Sequence, residues 1–270
     1  MKKFLPVILF SSLIFFNSYS PVIAKVKNNN ISSTSVKIYG EKELSKGLHE
    51  AAKISIKDTP HVFIQNIAVY NEVGLVTLKS TDYSGKNRYY NITAKYENNK
   101  WTSISYFEAN ASIESIAVSM GSSDSAKDFF KSRKIDPDTA VDLEKLIQGQ
   151  QSLSNILPEE GKSASEYLSE GDIFETKGDY SKAIISYKKA KFLDPAFYVY
   201  NALGRVYFKA NQIDRAIIIS HACLIKYPDD AMSNFLLAYS YTKKRGISYA
   251  ELSEHYYKQA CKLGINKACN

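Results

Sequence analysis

The chain has 270 residues, of which 35 are lysine or arginine and 28 are aspartate or glutamate, so its formal net charge at pH 7 is +7. The basic residues alternate with acidic ones and form no cluster interleaved with aromatic residues, so the sequence predicts no nucleic-acid partner. The length is sufficient for one large domain or two small ones.

The first 24 residues predict an export signal. The basic start Met1-Lys2-Lys3 precedes an apolar run over residues 4–16, which is shorter than the roughly 20 residues that a membrane-spanning helix needs. Val22 and Ala24 have the spacing of a signal-peptidase site, so we expect cleavage after Ala24 and a periplasmic or secreted protein without a membrane span. An uncleaved membrane anchor is the alternative.

Two segments of different composition follow the signal. Residues 25–40 are rich in Asn and Ser and predict a flexible N-terminus. Apolar residues then recur at helical spacing from Glu41 to about Ile56, after which four runs rich in Val, Ile, Thr and aromatics alternate with period two. The sequence therefore predicts a small α+β module over residues 41–110, a helix followed by an antiparallel meander.

Residues 111–163 predict a polar, helical connector. Asp136 and Pro137 are typical of a helix start, with Asp as N-cap and Pro as the first helical residue. The stretch LPEEGKS at 157–163 is typical of a linker.

A period of 33 or 34 residues runs through residues 164–270. Gly171 recurs as Gly204 after 33 residues and as Ala238 after a further 34, and Pro195 recurs as Pro228. An aromatic residue follows each of the three small residues at the third position. The repetition predicts three similar helical units.

At these positions the sequence resembles the tetratricopeptide repeat family, which implies an all-α array of three helix pairs. In such a pair a glycine or alanine lets the second helix approach closely, and a proline ends the pair. One unit cannot bury its apolar face alone, so about three are needed to form a core.

The third unit resembles the Sel-one-like branch of this superfamily. It has a longer turn between its helices, its best match to Tyr187 is Tyr257, and it ends in a Cys-x7-Cys pattern. The resemblance implies a disulfide between Cys261 and Cys269, and Gly264 offers the break that would let the chain fold back; two reduced surface thiols are the alternative. Cys223 falls where a small buried residue is expected and is interpreted as a packing residue.

The sequence predicts no enzyme, no cofactor and no metal site. Its four histidines stand in no metal-binding arrangement such as H-E-x-x-H. Ser186 and Lys189 have the spacing of an active serine in penicillin-recognising enzymes, but the accompanying S-D-N and K-T-G motifs are missing.

Binding to a protein or peptide partner is therefore the predicted function. In two of the units, one side of the first helix carries residues that helical spacing turns away from the packing contacts. These candidate partner-binding residues are Tyr198, Asn201, Arg205, Phe208, Met232, Phe235 and Tyr239.

The resemblance implies that this stripe lines the groove in which a peptide or partner helix docks. A covering helix, the connector or a second copy of the chain, as in a homo-oligomer, is the alternative occupant. The rival function is binding of a small molecule or cell-wall fragment by the α+β module, with the repeats as a tether.

Overall fold

The structure is a computed structural model that describes residues 9–11, 61–70, 73–81, 84, 87–97, 100–108, 112–132, 134–147 and 150–269. The predicted flexible N-terminus and the helix predicted over 41–56 lie outside these residues, as does the predicted signal apart from residues 9–11. The chain divides into two compact units, Met1–Ile113 with Thr139–Gln151, and Glu114–Asp138 with Ser152–Asn270.

The first unit contains an antiparallel sheet whose five strands are ordered as they occur along the chain. The strands are β1 (Leu9–Ser11), β2 (His61–Tyr70), β3 (Val73–Thr81), β4 (Asn87–Glu97) and β5 (Lys100–Glu108). Strand β1 pairs with β2 through three residues, and the other ladders are longer. Because the predicted helix of this module lies outside the described residues, the α+β module as a whole stays a prediction.

Before the repeats, the described residues form three α-helices, namely α1 (Ile113–Val118), α2 (Asp124–Phe130) and α3 (Pro137–Ile147). The predicted start of helix α3 is confirmed. Pro137 is its first residue, and Asp136 caps it by accepting a 2.9 Å hydrogen bond at Oδ1 from the backbone amide of Asp138. The segment Glu114–Asp138 belongs to the same unit as the repeats and buries Phe129 and Phe130. It is therefore part of the core of the helical unit.

Residues 164–270 form three consecutive helix pairs, which we call repeats 1 to 3. Repeat 1 contains α4 (Ala164–Thr176) and α5 (Tyr180–Leu193), repeat 2 contains α6 (Phe197–Lys209) and α7 (Ile213–Lys226), and repeat 3 contains α8 (Ala231–Tyr241) and α9 (Ile247–Lys262). The turns in repeats 1 and 2 hold Gly178 at φ 78° and Asn211 at φ 58°, equivalent positions where the left-handed backbone favours Gly or Asn.

The small residues of the period lie where helices meet. A Cβ on Gly171 would stand 2.5 Å from Cδ1 of the buried Tyr187 ring, and one on Gly204 would stand 2.9 Å from Cδ1 of Leu236. Ala238 is completely buried. The predicted packing role of these three positions is confirmed.

A buried carboxylate joins the start of α3 to the repeats. Asp138 is fully buried and accepts hydrogen bonds from Lys191 Nζ and Arg215 Nη2, each over 2.5 Å. Burial alone would raise the pKa of Asp138, but the two cations hold it well below its usual range. Lys191 Nζ also lies 3.4 Å from Asp136, whose carboxylate accepts a 3.0 Å hydrogen bond from Tyr200.

The C-terminus folds back at the glycine that the sequence indicated. Helix α9 ends at Lys262, Gly264 has φ 97°, and a short 3-10 turn follows. The sulfurs of Cys261 and Cys269 lie 2.07 Å apart, so the two cysteines form a pair able to make a disulfide. Cys223 is separate from this pair and is buried in the core of the repeats.

Candidate partner-binding groove

The seven predicted partner-binding residues lie on helices α6 and α8, and we call them the groove stripe. Tyr198, Met232 and Tyr239 expose 46%, 42% and 43% of their surface, whereas Leu203 and Leu237 on the same helices are fully buried. Amphipathic helices of this kind place one stripe in the core and leave another in solvent. The exposed members of the groove stripe are therefore accessible to a ligand.

Four aromatic side chains form a continuous row along this surface, which we call the aromatic row. Phe208 of repeat 2 stacks on Tyr239 of repeat 3 with ring centroids 4.7 Å apart and an interplanar angle of 30°. Tyr239 lies parallel to Phe235 at 6.2 Å, and Phe235 meets the edge of Tyr257 at 6.0 Å. These offset and edge-on contacts are the favoured geometries of aromatic pairs, so the row is ordered before any partner arrives.

A lysine that the sequence reasoning missed lies beside the aromatic row. Lys243 Nζ is 5.9 Å from the ring centroid of Phe208 and 6.0 Å from that of Tyr239, both within the range of cation–π attraction. Lys243 lies in the turn just after α8, and its closeness to Tyr239 in the chain was the available signal. Tyr257 was also missed, because it comes from the second helix of repeat 3.

Arg205 lies on the predicted side of α6, where its guanidinium contacts two acids of repeat 1. Its Nε and Nη2 donate to the two oxygens of Glu175, each over 2.8 Å, and Nη2 lies 3.4 Å from Asp172. Lys209 Nζ donates to Glu175 over 2.8 Å. Arg205 and Lys209 therefore join repeat 2 to repeat 1, and their charges are compensated within the chain.

Glu175 is the centre of this network. Burial would raise its pKa, but hydrogen bonds from Arg205, Lys209 and Tyr187 lower the pKa of Glu175 to about 2. Tyr187 OH stands 2.7 Å from Glu175 and 2.6 Å from Asp172, and its single proton can be donated to one of them at a time. Burial and these two carboxylates raise the pKa of Tyr187 far above its usual range.

Asn201, like Arg205, makes its hydrogen bonds within the chain. Its amide nitrogen donates to Asp230 over 3.3 Å, and its oxygen accepts from Ser233 Oγ over 3.0 Å. Asp230 is the N-cap of α8 and also accepts the backbone amide of Ser233 over 2.7 Å. The side chain of Asn201 thus holds the start of repeat 3 against repeat 2. Tyr198 differs, because its hydroxyl donates to Asp194 over 2.8 Å while its ring stays exposed.

The comparison with known proteins agrees with this architecture. The sequence profile of the family described as Tetratricopeptide repeat matches residues 167–197, which cover most of repeat 1 and end at the first residue of α6. With three helix pairs and small residues at the helix contacts, residues 164–270 are a tetratricopeptide-like repeat segment. No curated protein matches the chain.

Two further properties concern only the residues that the structure describes. None of their helices is long and apolar enough to cross a membrane. Among them, no three His, Cys, Asp or Glu side chains are grouped so that they could hold a metal ion.

Proposed function

We propose that the chain is an exported interaction adaptor that binds a partner protein or peptide along the groove stripe. Tetratricopeptide repeats are in general protein-interaction modules, and this chain carries a segment of that kind. The observation that carries the proposal is the aromatic row, whose rings come from both first helices, α6 and α8, and from α9, and whose member Tyr239 is 43% exposed.

The aromatic row supplies the interaction energy in this proposal. Large aromatic side chains bury much apolar area with few rotatable bonds, and they are enriched among the residues that dominate binding. Lys243 adds a cation at the edge of the row. Because Arg205 and Lys209 are compensated by acids of repeat 1, the partner we expect is recognised chiefly by apolar contact and not by its net charge.

The chemistry of the groove favours binding over catalysis. A residue that transfers protons near neutral pH needs a pKa close to the working pH. Hydrogen bonds from Arg205, Lys209 and Tyr187 outweigh burial and lower the pKa of Glu175 to about 2, and the pKa of Tyr187 is raised, so both groups keep one protonation state around pH 7. We accordingly propose a non-enzymatic protein.

Export is part of the proposal and rests on the N-terminal sequence. The partner would then be another periplasmic or secreted protein. Cleavage after Ala24 would remove β1 and leave β2 at the edge of the sheet. N-terminal sequencing of exported material should yield Lys25, whereas a chain retained in the membrane fraction with Met1 would contradict cleavage.

Point variants of the whole mature chain test the groove better than truncation does. A cut before residue 164 would remove Asp138, the buried partner of Lys191 and Arg215, so loss of binding could reflect unfolding. Tyr239→Ala removes an exposed ring, and Ile247→Ala, at a position 81% exposed on α9, is the matched control.

The assay is capture of exported proteins by each variant, with melting temperature measured in parallel. We expect Tyr239→Ala to lose about 1–3 kcal/mol of binding free energy and Ile247→Ala to lose none. Tyr239→Ala also loses the stacking of its ring on Phe208 and Phe235, so its melting temperature should fall modestly while that of Ile247→Ala stays unchanged. Partners retained equally by both variants would contradict the groove as binding surface and would favour the α+β module. Sedimentation of the purified chain distinguishes a partner from a second copy.

A further inference from the structure

A second concave surface lies on the helical unit, away from the groove stripe. Helices α7 and α9 and the segment from Met120 to Lys131 enclose a cavity of about 590 Å³, a size typical of small-molecule sites. The cavity shares no residue with the groove stripe or the aromatic row. It is a separate candidate site.

Positive charge dominates the mouth of this cavity. Lys127, Lys131 and Lys262 line it, and Asp229 is the one acid among the lining residues that the structure describes. Lys127 pairs with the exposed Asp124 at 3.4 Å, whereas no described carboxylate pairs with Lys131 or Lys262. Two uncompensated ammonium groups on different elements therefore face one cavity.

The inner wall is uncharged. His221 is buried and hydrogen-bonded to Tyr241 OH at 3.0 Å, and burial together with Lys127 lowers its pKa to about 3. Tyr256 meets the edge of the His221 ring at 5.8 Å, and burial raises the pKa of Tyr256 to about 12. Leu252 completes an apolar and aromatic wall that stays neutral around pH 7.

We propose that this cavity binds an amphipathic anion, a small molecule whose anionic head contacts Lys131 and Lys262 and whose apolar body packs against Tyr256 and Leu252. A bare inorganic anion would leave the apolar wall uncovered. A purely apolar ligand would exclude water from the ammonium groups without replacing their hydrogen bonds, which is unfavourable. An anion with an apolar tail satisfies both halves of the site.

Isothermal titration of the full mature chain with decyl phosphate, below its micelle concentration, tests the proposal. The test variant is Lys131→Gln with Lys262→Gln, and the control is Lys258→Gln with Lys267→Gln, which removes the same charge from α9 and the turn after it. Lys258 and Lys267 do not line the cavity, and Lys258 pairs with the exposed Glu254.

We expect decyl phosphate to bind at least about tenfold more weakly to the test variant, because charge-assisted hydrogen bonds are lost, and to bind the control like the wild type. Inorganic phosphate and decanol should each bind more weakly than decyl phosphate. Equal affinity for the two double variants would overturn the proposal. So would inorganic phosphate or decanol binding as tightly as decyl phosphate, or the absence of measurable binding at about 1 mM.

Discussion

The buried carboxylate of Asp138 offers the most stringent test of how the helical unit is held together. Asp138→Asn keeps the size of the side chain and removes its charge, which leaves Lys191 and Arg215 buried against a neutral amide. Removal of one partner from a buried ion pair costs about 3–5 kcal/mol where nothing else compensates the charge that remains. Asp136, 3.4 Å from Lys191, compensates part of that loss, so we expect about 3 kcal/mol.

Urea unfolding followed by circular dichroism measures this loss, and Asp124→Asn is the matched control. Asp124 also pairs with a lysine, Lys127 at 3.4 Å, but its side chain is fully exposed, so its replacement should change the free energy of unfolding by less than about 1 kcal/mol. A triple variant with apolar residues at 138, 191 and 215 should recover part of the stability, since the two cations are removed together with the carboxylate that they share.

Acid should reproduce the effect of Asp138→Asn. The folded-state pKa of Asp138 is lowered below its unfolded value of about 3.9, so its contribution is present above that pH and is lost as the pH falls toward the folded-state value. The wild type should therefore lose more stability than Asp138→Asn between pH 5 and pH 2. Equal unfolding free energies for Asp138→Asn and Asp124→Asn would refute the reasoning.

Two further predictions concern packing and covalent closure. Gly171→Ala should destabilise by about 1–3 kcal/mol, because the new methyl would clash with the ring of Tyr187. Gly204→Ala should cost less, since its closest contact is the movable end of the Leu236 side chain, and equal urea midpoints for the two variants would contradict this order. Peptide mapping without reduction should show Cys261 linked to Cys269, and three free thiols would contradict the bond. Cys261→Ser should lower the free energy of unfolding by about 2–3 kcal/mol, because the closed loop no longer restricts the unfolded chain.

The sequence predicted the repeats well because their packing is local and periodic. The 33-residue period identified Gly171, Gly204 and Ala238, and the structure places all three at helix contacts. The same period contained a signal that the sequence reasoning did not use. Asp172 and Arg205 are 33 residues apart, so they occupy equivalent positions of successive repeats, and their side chains meet. Arg205 was predicted to bind a partner, whereas its ion pairs within the chain were not predicted.

Contacts that cross between the connector and the repeats could not be predicted in this way. Asp138 lies 53 residues from Lys191 and 77 from Arg215, and no periodicity relates these positions. Helical spacing showed which side of α8 is exposed, but Tyr257 joins the aromatic row from another helix. Pairing between elements depends on the packing of whole helices, which a one-dimensional pattern does not specify.

Photo-crosslinking at the aromatic row shows whether a partner lies against the groove stripe. A photoreactive phenylalanine analogue replaces Tyr239 in the whole mature chain, and the same analogue at position 247 is the control, since both sites are exposed. We expect partner adducts from position 239 that disappear when Phe235 is also changed to alanine, and none from position 247. Partner adducts that form at position 247 but not at position 239 would contradict the claim that the groove stripe is the binding surface.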